Sequence, residues 1–130
     1  MNEVKELKDI YKDYKLIVVY DANSKNPTYT GDGCADSMIL ELSDGLKNNK
    51  EFPIIITLNS QYLVEYFRIA VIRKLINHQN IVLHHQEKYA SMFVDCHGDL
   101  SDYMMDAHEN ELMEILQWRY AHRDNEIRKV

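Results

Sequence analysis

The sequence predicts a single small α/β domain, a two- or three-layer sandwich around a mostly parallel sheet of three or four strands, in the order α-β-α-β-α-β-(β)-α. Three short apolar runs carry this reading: Leu16-Ile17-Val18-Val19-Tyr20, Ile54-Ile55-Ile56-Thr57-Leu58 and Ile81-Val82-Leu83. Continuous β-branched runs of this length are the mark of strands buried on both faces. Helical periodicity separates them, which is the pattern of βαβ units.

Taken in order, Val4, Leu7, Ile10 and Tyr11 fall at helical spacing among charged residues and predict a leading amphipathic helix over 3–13. After the first strand, residues 23–33 are rich in Asn, Pro, Thr and Gly and carry no period, so a long loop is expected. Loops of that length in compact domains are often functional. Ala35, Met38, Ile39, Leu42 and Leu46 mark a second helix over 34–48, and Pro53 stands at the start of the second strand, where proline is tolerated. Ser60 is placed to cap a third helix running to His78. That helix carries two apolar stripes, one through Leu63, Phe67 and Val71 and one through Tyr62, Ile69 and Ile76, leaving a narrow polar strip at Glu65, Arg68, Arg73 and Asn77. A helix apolar on two sides is covered on two sides, and the last helix is the natural cover.

Ser91–Asp95 predicts a fourth strand, antiparallel because its connection is too short for a crossover. Asp99 then caps a long final helix over 100–123, with Leu100, Tyr103, Met104, Leu112 and Leu116 among its apolar positions. The domain thus spans 1–123, and 124–130 form a charged tail.

Composition narrows the function classes. With 45% hydrophobic and 28% charged residues, four Gly and two Pro, the 130-residue chain has ordinary globular usage and enough length for a real core. The start has no apolar leader, and no apolar run approaches the roughly 18 to 20 residues of a membrane span, so a cytoplasmic protein is expected. Cys34 and Cys96 have no metal-like or disulfide-framework spacing, which fits a reducing compartment. A net charge of -6 argues against general affinity for nucleic acid. The charge is also uneven: from Tyr89 to Trp118 there are seven acids in thirty residues and no Lys or Arg.

Two candidate functional surfaces follow. If the strands are parallel, their polar ends share one edge, where open α/β sheets bind ligands. Asp21, Asn23, Ser24, Asn59, Ser60 and His84 are the candidate ligand-binding residues there, for a nucleotide or other small ligand, or for a small hydrolase. Each also has an ordinary turn or capping role. The second surface is the acidic, Met-bearing C-terminal segment, where Asp102, Met105, Asp106, Glu109, Met113 and Trp118 are candidates for engaging a basic protein partner or a second copy as a homodimer. A small regulatory or binding module of this kind is the favoured reading.

Several partial motifs are set aside. Thr30-Gly31-Asp32-Gly33 lacks the Gly-Lys-Ser/Thr of a phosphate-binding loop. Asp21–Ser24 with Gly31-Asp32-Gly33 resembles the opening of macro domains, which bind ADP-ribose, but the family's glycine triplet is missing and the likeness stops by Asn49. His84 and His85 are strand neighbours that face opposite ways and cannot share a metal ion. No metal, cofactor or catalytic residue is assigned, and whether the protein is an enzyme is left open.

Overall fold

The computed structural model describes residues 2–30, 32–49 and 51–100. Four strands, β1 (Leu16–Tyr20), β2 (Ile54–Leu58), β3 (Ile81–His85) and β4 (Ala90–Met92), form one sheet in the order β2-β1-β3-β4. It is a mixed sheet: β1 runs parallel to both β2 and β3, whereas β4 turns back antiparallel on β3. Central β1 is deeply buried, with Leu16, Ile17 and Val18 inaccessible to solvent.

The period of two along each strand sorts the core into two layers. Leu16, Val18, Ile56, Leu58, Ile81 and Leu83 face helices α2 (Ala35–Asn48) and α3 (Gln61–Ile72). On the reverse face, Ile17, Val19 and Val82 are covered by Leu7 and Tyr11 from helix α1 (Asn2–Ile10) and its exit. The result is three layers with unequal covers. No helix among the described residues is long and apolar enough to cross a membrane.

The chain leaves β1, passes through α2 to β2, then returns through α3 across β1 to β3, and both helices lie on one face of the sheet. Successive crossovers that run in opposite directions over the same face have opposite hands. One of the two therefore departs from the right-handed rule that parallel connections nearly always obey. Doubly wound folds send such helices to opposite faces, and the parting of their loops opens the ligand crevice. Here the loops do not part.

Helix α1 stops at Ile10, short of the expected residue 13, β3 continues past Leu83 through His85, and three further features differ from the sequence reading. Helix α3 ends at Ile72 and does not continue to His78, because the chain closes a Schellman turn: Lys74 adopts φ 61°, its N–H donates to Val71 O at 3.0 Å, and the Leu75 N–H donates to Ala70 O at 2.9 Å. A Lys in that left-handed position gives no sequence signal, where Gly would. β4 covers Ala90–Met92 and not Ser91–Asp95; beyond it, Val94 makes an isolated antiparallel bridge with Leu100. The third difference is the polar strip of α3. Glu65 and Arg68 do not face water but are buried at 0% and 3% exposure. They pair at 3.1 Å, and Arg68 Nε donates to Gly98 O at 2.7 Å. The expected final helix and tail lie outside the described residues.

Gly98 occupies φ 81°, where a Cβ would stand 2.6 Å from Ile72 Cγ1 and 3.0 Å from Arg68 O. Gly98→Ala is expected to lower stability by more than about 1 kcal/mol, since both the backbone and the space reject a methyl group. Lys74→Gly should act the other way and raise stability by up to about 1 kcal/mol, by removing left-handed strain. Urea denaturation of the two variants checks both signs.

Candidate functional site

The strand ends do meet at one edge. Tyr20 is level with Leu58 on one side and His85 on the other, so Asp21, Asn59 and Gln86 leave the sheet together. What these residues do there is fasten the loop that follows β1, residues 21–30. Asp21 Oδ1 accepts from the Asn23 N–H at 3.1 Å in an Asx turn, and the Asn59 side-chain amide donates to Ser24 O at 3.1 Å. Ser60 caps α3, its hydroxyl accepting from the Leu63 N–H at 3.4 Å.

The loop then runs along the open side of β2. Thr28 N–H donates to Thr57 O at 2.7 Å, and Thr57 N–H donates to Thr28 Oγ1 at 2.9 Å. Next to it, Tyr29 packs on the α2 face of the core. Burial, and then the neighbouring Glu41 carboxylate that accepts its hydrogen bond, push the Tyr29 hydroxyl up to about 12. Five of the six candidate ligand residues thus belong to one loop and the cap beside it.

His84, the sixth, is elsewhere. The period of two turns its side chain to the α1 face, away from the loop, where it is 1% exposed. There the Tyr11 hydroxyl bridges two groups, His84 Nδ1 at 2.7 Å and Ser91 Oγ at 2.5 Å. The hydroxyl has one proton, so the chain is polarised in one of two senses. Either Ser91 donates to Tyr11 and Tyr11 to the imidazole, or the imidazole N–H donates to Tyr11 and Tyr11 to Ser91. His84 Nε2 has no hydrogen-bond partner among the described residues, and the ring packs perpendicular to Tyr89 at 4.9 Å between centroids. Burial holds the imidazole below its ordinary value of 6.5; His85 adds to this, while the Gln86 side chain and Glu6 oppose it. The arrangement is a short hydrogen-bond chain that ties the exit of α1 to β3 and β4.

His85 points to the opposite face, as strand geometry requires, and lies edge to face with Tyr20 at 5.3 Å. Its Nδ1 accepts from the Lys88 N–H at 3.3 Å, and burial with the nearby Lys88 charge lowers its proton affinity. Asp95 Oδ1 accepts from the backbone N–H groups of Asp99 and His97. These bonds, and then the His97 and His78 imidazoles, hold its carboxyl below the usual value. Among the described residues no three His, Cys, Asp or Glu side chains gather as a metal site, and Cys34 and Cys96 form no disulfide.

The second candidate surface, Asp102, Met105, Asp106, Glu109, Met113 and Trp118, lies outside the described residues. Sequence reasoning missed Tyr11 and Ser91 as the partners of His84. Tyr11 reads as one more apolar position of the first helix, and 73 residues separate it from the imidazole it bonds. Comparison with known proteins finds no matching family model, no similar curated protein and no similar solved structure.

Tyr11→Phe leaves His84 Nδ1 and Ser91 without their shared partner and should cost about 1–3 kcal/mol of stability in a urea melt. The pH dependence has a definite sign. The fold disfavours protonated His84, so the unfolded chain binds the proton more readily. Stability is therefore full above about pH 6.5 and falls as the pH drops below it. Melting temperatures taken from about pH 8 to pH 5 should decline across that window, and His84→Asn should reduce the decline, leaving the part that His85 contributes.

Proposed function

We propose that the protein is a non-enzymatic binding or regulatory module that engages a protein partner with a basic surface through its acidic C-terminal segment. The observation that carries this reading is the charge distribution: seven acids and no Lys or Arg between Tyr89 and Trp118, within a chain of net charge -6. An unbroken field of one sign exceeds what solubility requires, and it steers and orients an oppositely charged partner. Met105, Met113 and Trp118 add adaptable apolar contact to the acids Asp102, Asp106 and Glu109. Self-association through the same residues, as a homodimer, is the variant of this reading that sedimentation distinguishes. Two cysteines without a disulfide fit a cytoplasmic setting.

The competing reading, a nucleotide or small-ligand site or a small hydrolase at the C-terminal edge of the sheet, has less support. Asp21, Ser24, Asn59 and Ser60 already have internal partners there, and His84 faces the other side of the sheet.

Trp118 is the only tryptophan, so its fluorescence reports on the segment directly. A lysine-rich peptide should bind at low salt and weaken steeply as salt rises. Changing Asp102, Asp106 and Glu109 to their amides should weaken binding about tenfold, the loss of roughly 1.4 kcal/mol. Amide changes of Asp9, Asp44 and Glu51, which alter the net charge equally, should have little effect, as should Asp21→Ala. Equal weakening by both sets would show bulk charge alone and overturn the assignment.

A further inference from the structure

At the opposite edge of the sheet, where β1 and β3 begin, the Lys15 N–H donates to Asn80 O at 3.0 Å and brings the chain before each strand side by side. Two adjoining depressions open there, of about 330 and 420 Å³, and they share His78 and Gln79. Their volumes fall in the range of small-molecule sites. Their chemistry differs. The first is walled by the stacked rings of Tyr14 and Phe93, 6.0 Å apart and inclined at 29°, with Asp13 at its rim. Phe93 is 42% exposed, so a large aromatic side chain stands at the surface of this groove.

The second depression is polar with one cation, lined by Lys74, Asn77 and the exposed Cys96 over a floor of Val71 and Ile76. The left-handed turn that ends α3 fixes the root of the Lys74 side chain. Asn77 Oδ1 accepts from the Gln79 N–H at 2.9 Å, which sets the turn between the two halves. One half therefore offers aromatic surface with a carboxylate acceptor, and the other offers an ammonium group, with an imidazole and an amide side chain between them.

We propose that this groove binds a small molecule that joins a flat aromatic ring to an anionic group, a purine mononucleotide being the class that fits. The ring lies against Phe93 and Tyr14, where base–aromatic contact is tolerant of ring identity. Its exocyclic amine or ring N–H faces the Asp13 carboxylate and the Gln79 carbonyl, which accept. The phosphate faces Lys74, where a point charge on a long stem suits a tetrahedral anion. The groove takes Phe93 and Cys96 from the start of the acidic Tyr89–Trp118 segment but none of Asp102, Asp106 and Glu109, so its test and the test of the partner-binding reading succeed or fail separately.

Titrations of the full chain followed by amide NMR, with adenosine monophosphate, adenosine and inorganic phosphate as probes, decide the matter. Adenosine monophosphate should bind saturably with Kd below about 1 mM, shifting the amides of Tyr14, Gln79 and Phe93, and adenosine or phosphate alone should bind at least about tenfold more weakly. Phe93→Ala should weaken both nucleotide and nucleoside about tenfold. Lys74→Asn, which tolerates the left-handed turn, should weaken the nucleotide and leave the nucleoside unchanged. In a Cys34→Ser background the nucleotide should also slow alkylation of Cys96. If Phe93→Ala does not fold by circular dichroism, Phe93→Leu removes the aromatic face while keeping apolar packing. No saturable binding below about 1 mM, phosphate binding as tightly as the nucleotide, or both variants binding like the wild type would each overturn the proposal.

Discussion

The ion pair of Arg68 with Glu65 is the constraint around which the described fold is arranged. Every α3 residue from Leu63 to Val71 is buried, so this helix has no side on which a charge can reach water. Two charges in that setting persist only if each is compensated, because the desolvation of an unpaired ion costs several kcal/mol. The i, i+3 spacing supplies the pairing, and Arg68 Nε extends the network to Gly98 O. A residue read as surface decoration thereby anchors the 94–100 segment to the main core. Apolar substitutes of the same volume would supply comparable burial, but they would lack the directional bond that sets the Gly98 carbonyl, and with it the left-handed glycine packed against Ile72.

Much of the architecture is written locally. The three β-branched runs form β1, β2 and β3, the α2 stripe of Ala35, Met38, Ile39 and Leu42 packs as its spacing requires, and Ser60 caps α3. Period-two geometry alone also separates His84 from His85. What escaped the sequence is what depends on distant partners. Glu65 and Arg68 look like solvent-facing charges because nothing nearby in the chain shows that Gly98 will cover them. Lys74 ends a helix in a conformation that its side chain does not advertise. The partners of His84 come from the exit of the first helix and from the last strand, and periodicity relates neither to the imidazole.

Convergence of polar strand ends is a sound pointer to a ligand crevice only under a topological condition. The connections must part toward opposite faces of the sheet. With α2 and α3 on the same face, the β1 and β2 exits turn the same way, and the loop over residues 21–30 is fastened between them. That loop is as long as a binding loop and has the composition of one. Its hydrogen bonds are spent on the sheet and the helix cap.

The contact between Thr28 and Thr57 has a further consequence for how this chain behaves in a crowded solution. Ile54-Ile55-Ile56-Thr57-Leu58 is uncharged, β-branched and at the rim of its sheet, which is the profile of a segment that recruits identical copies into cross-β assemblies. By placing a threonine's own amide and hydroxyl on the outward carbonyl and amide of Thr57, the loop acts as an intramolecular guard against templated growth. Variation that shortens the loop would be felt first in solubility, before any loss of the folded core.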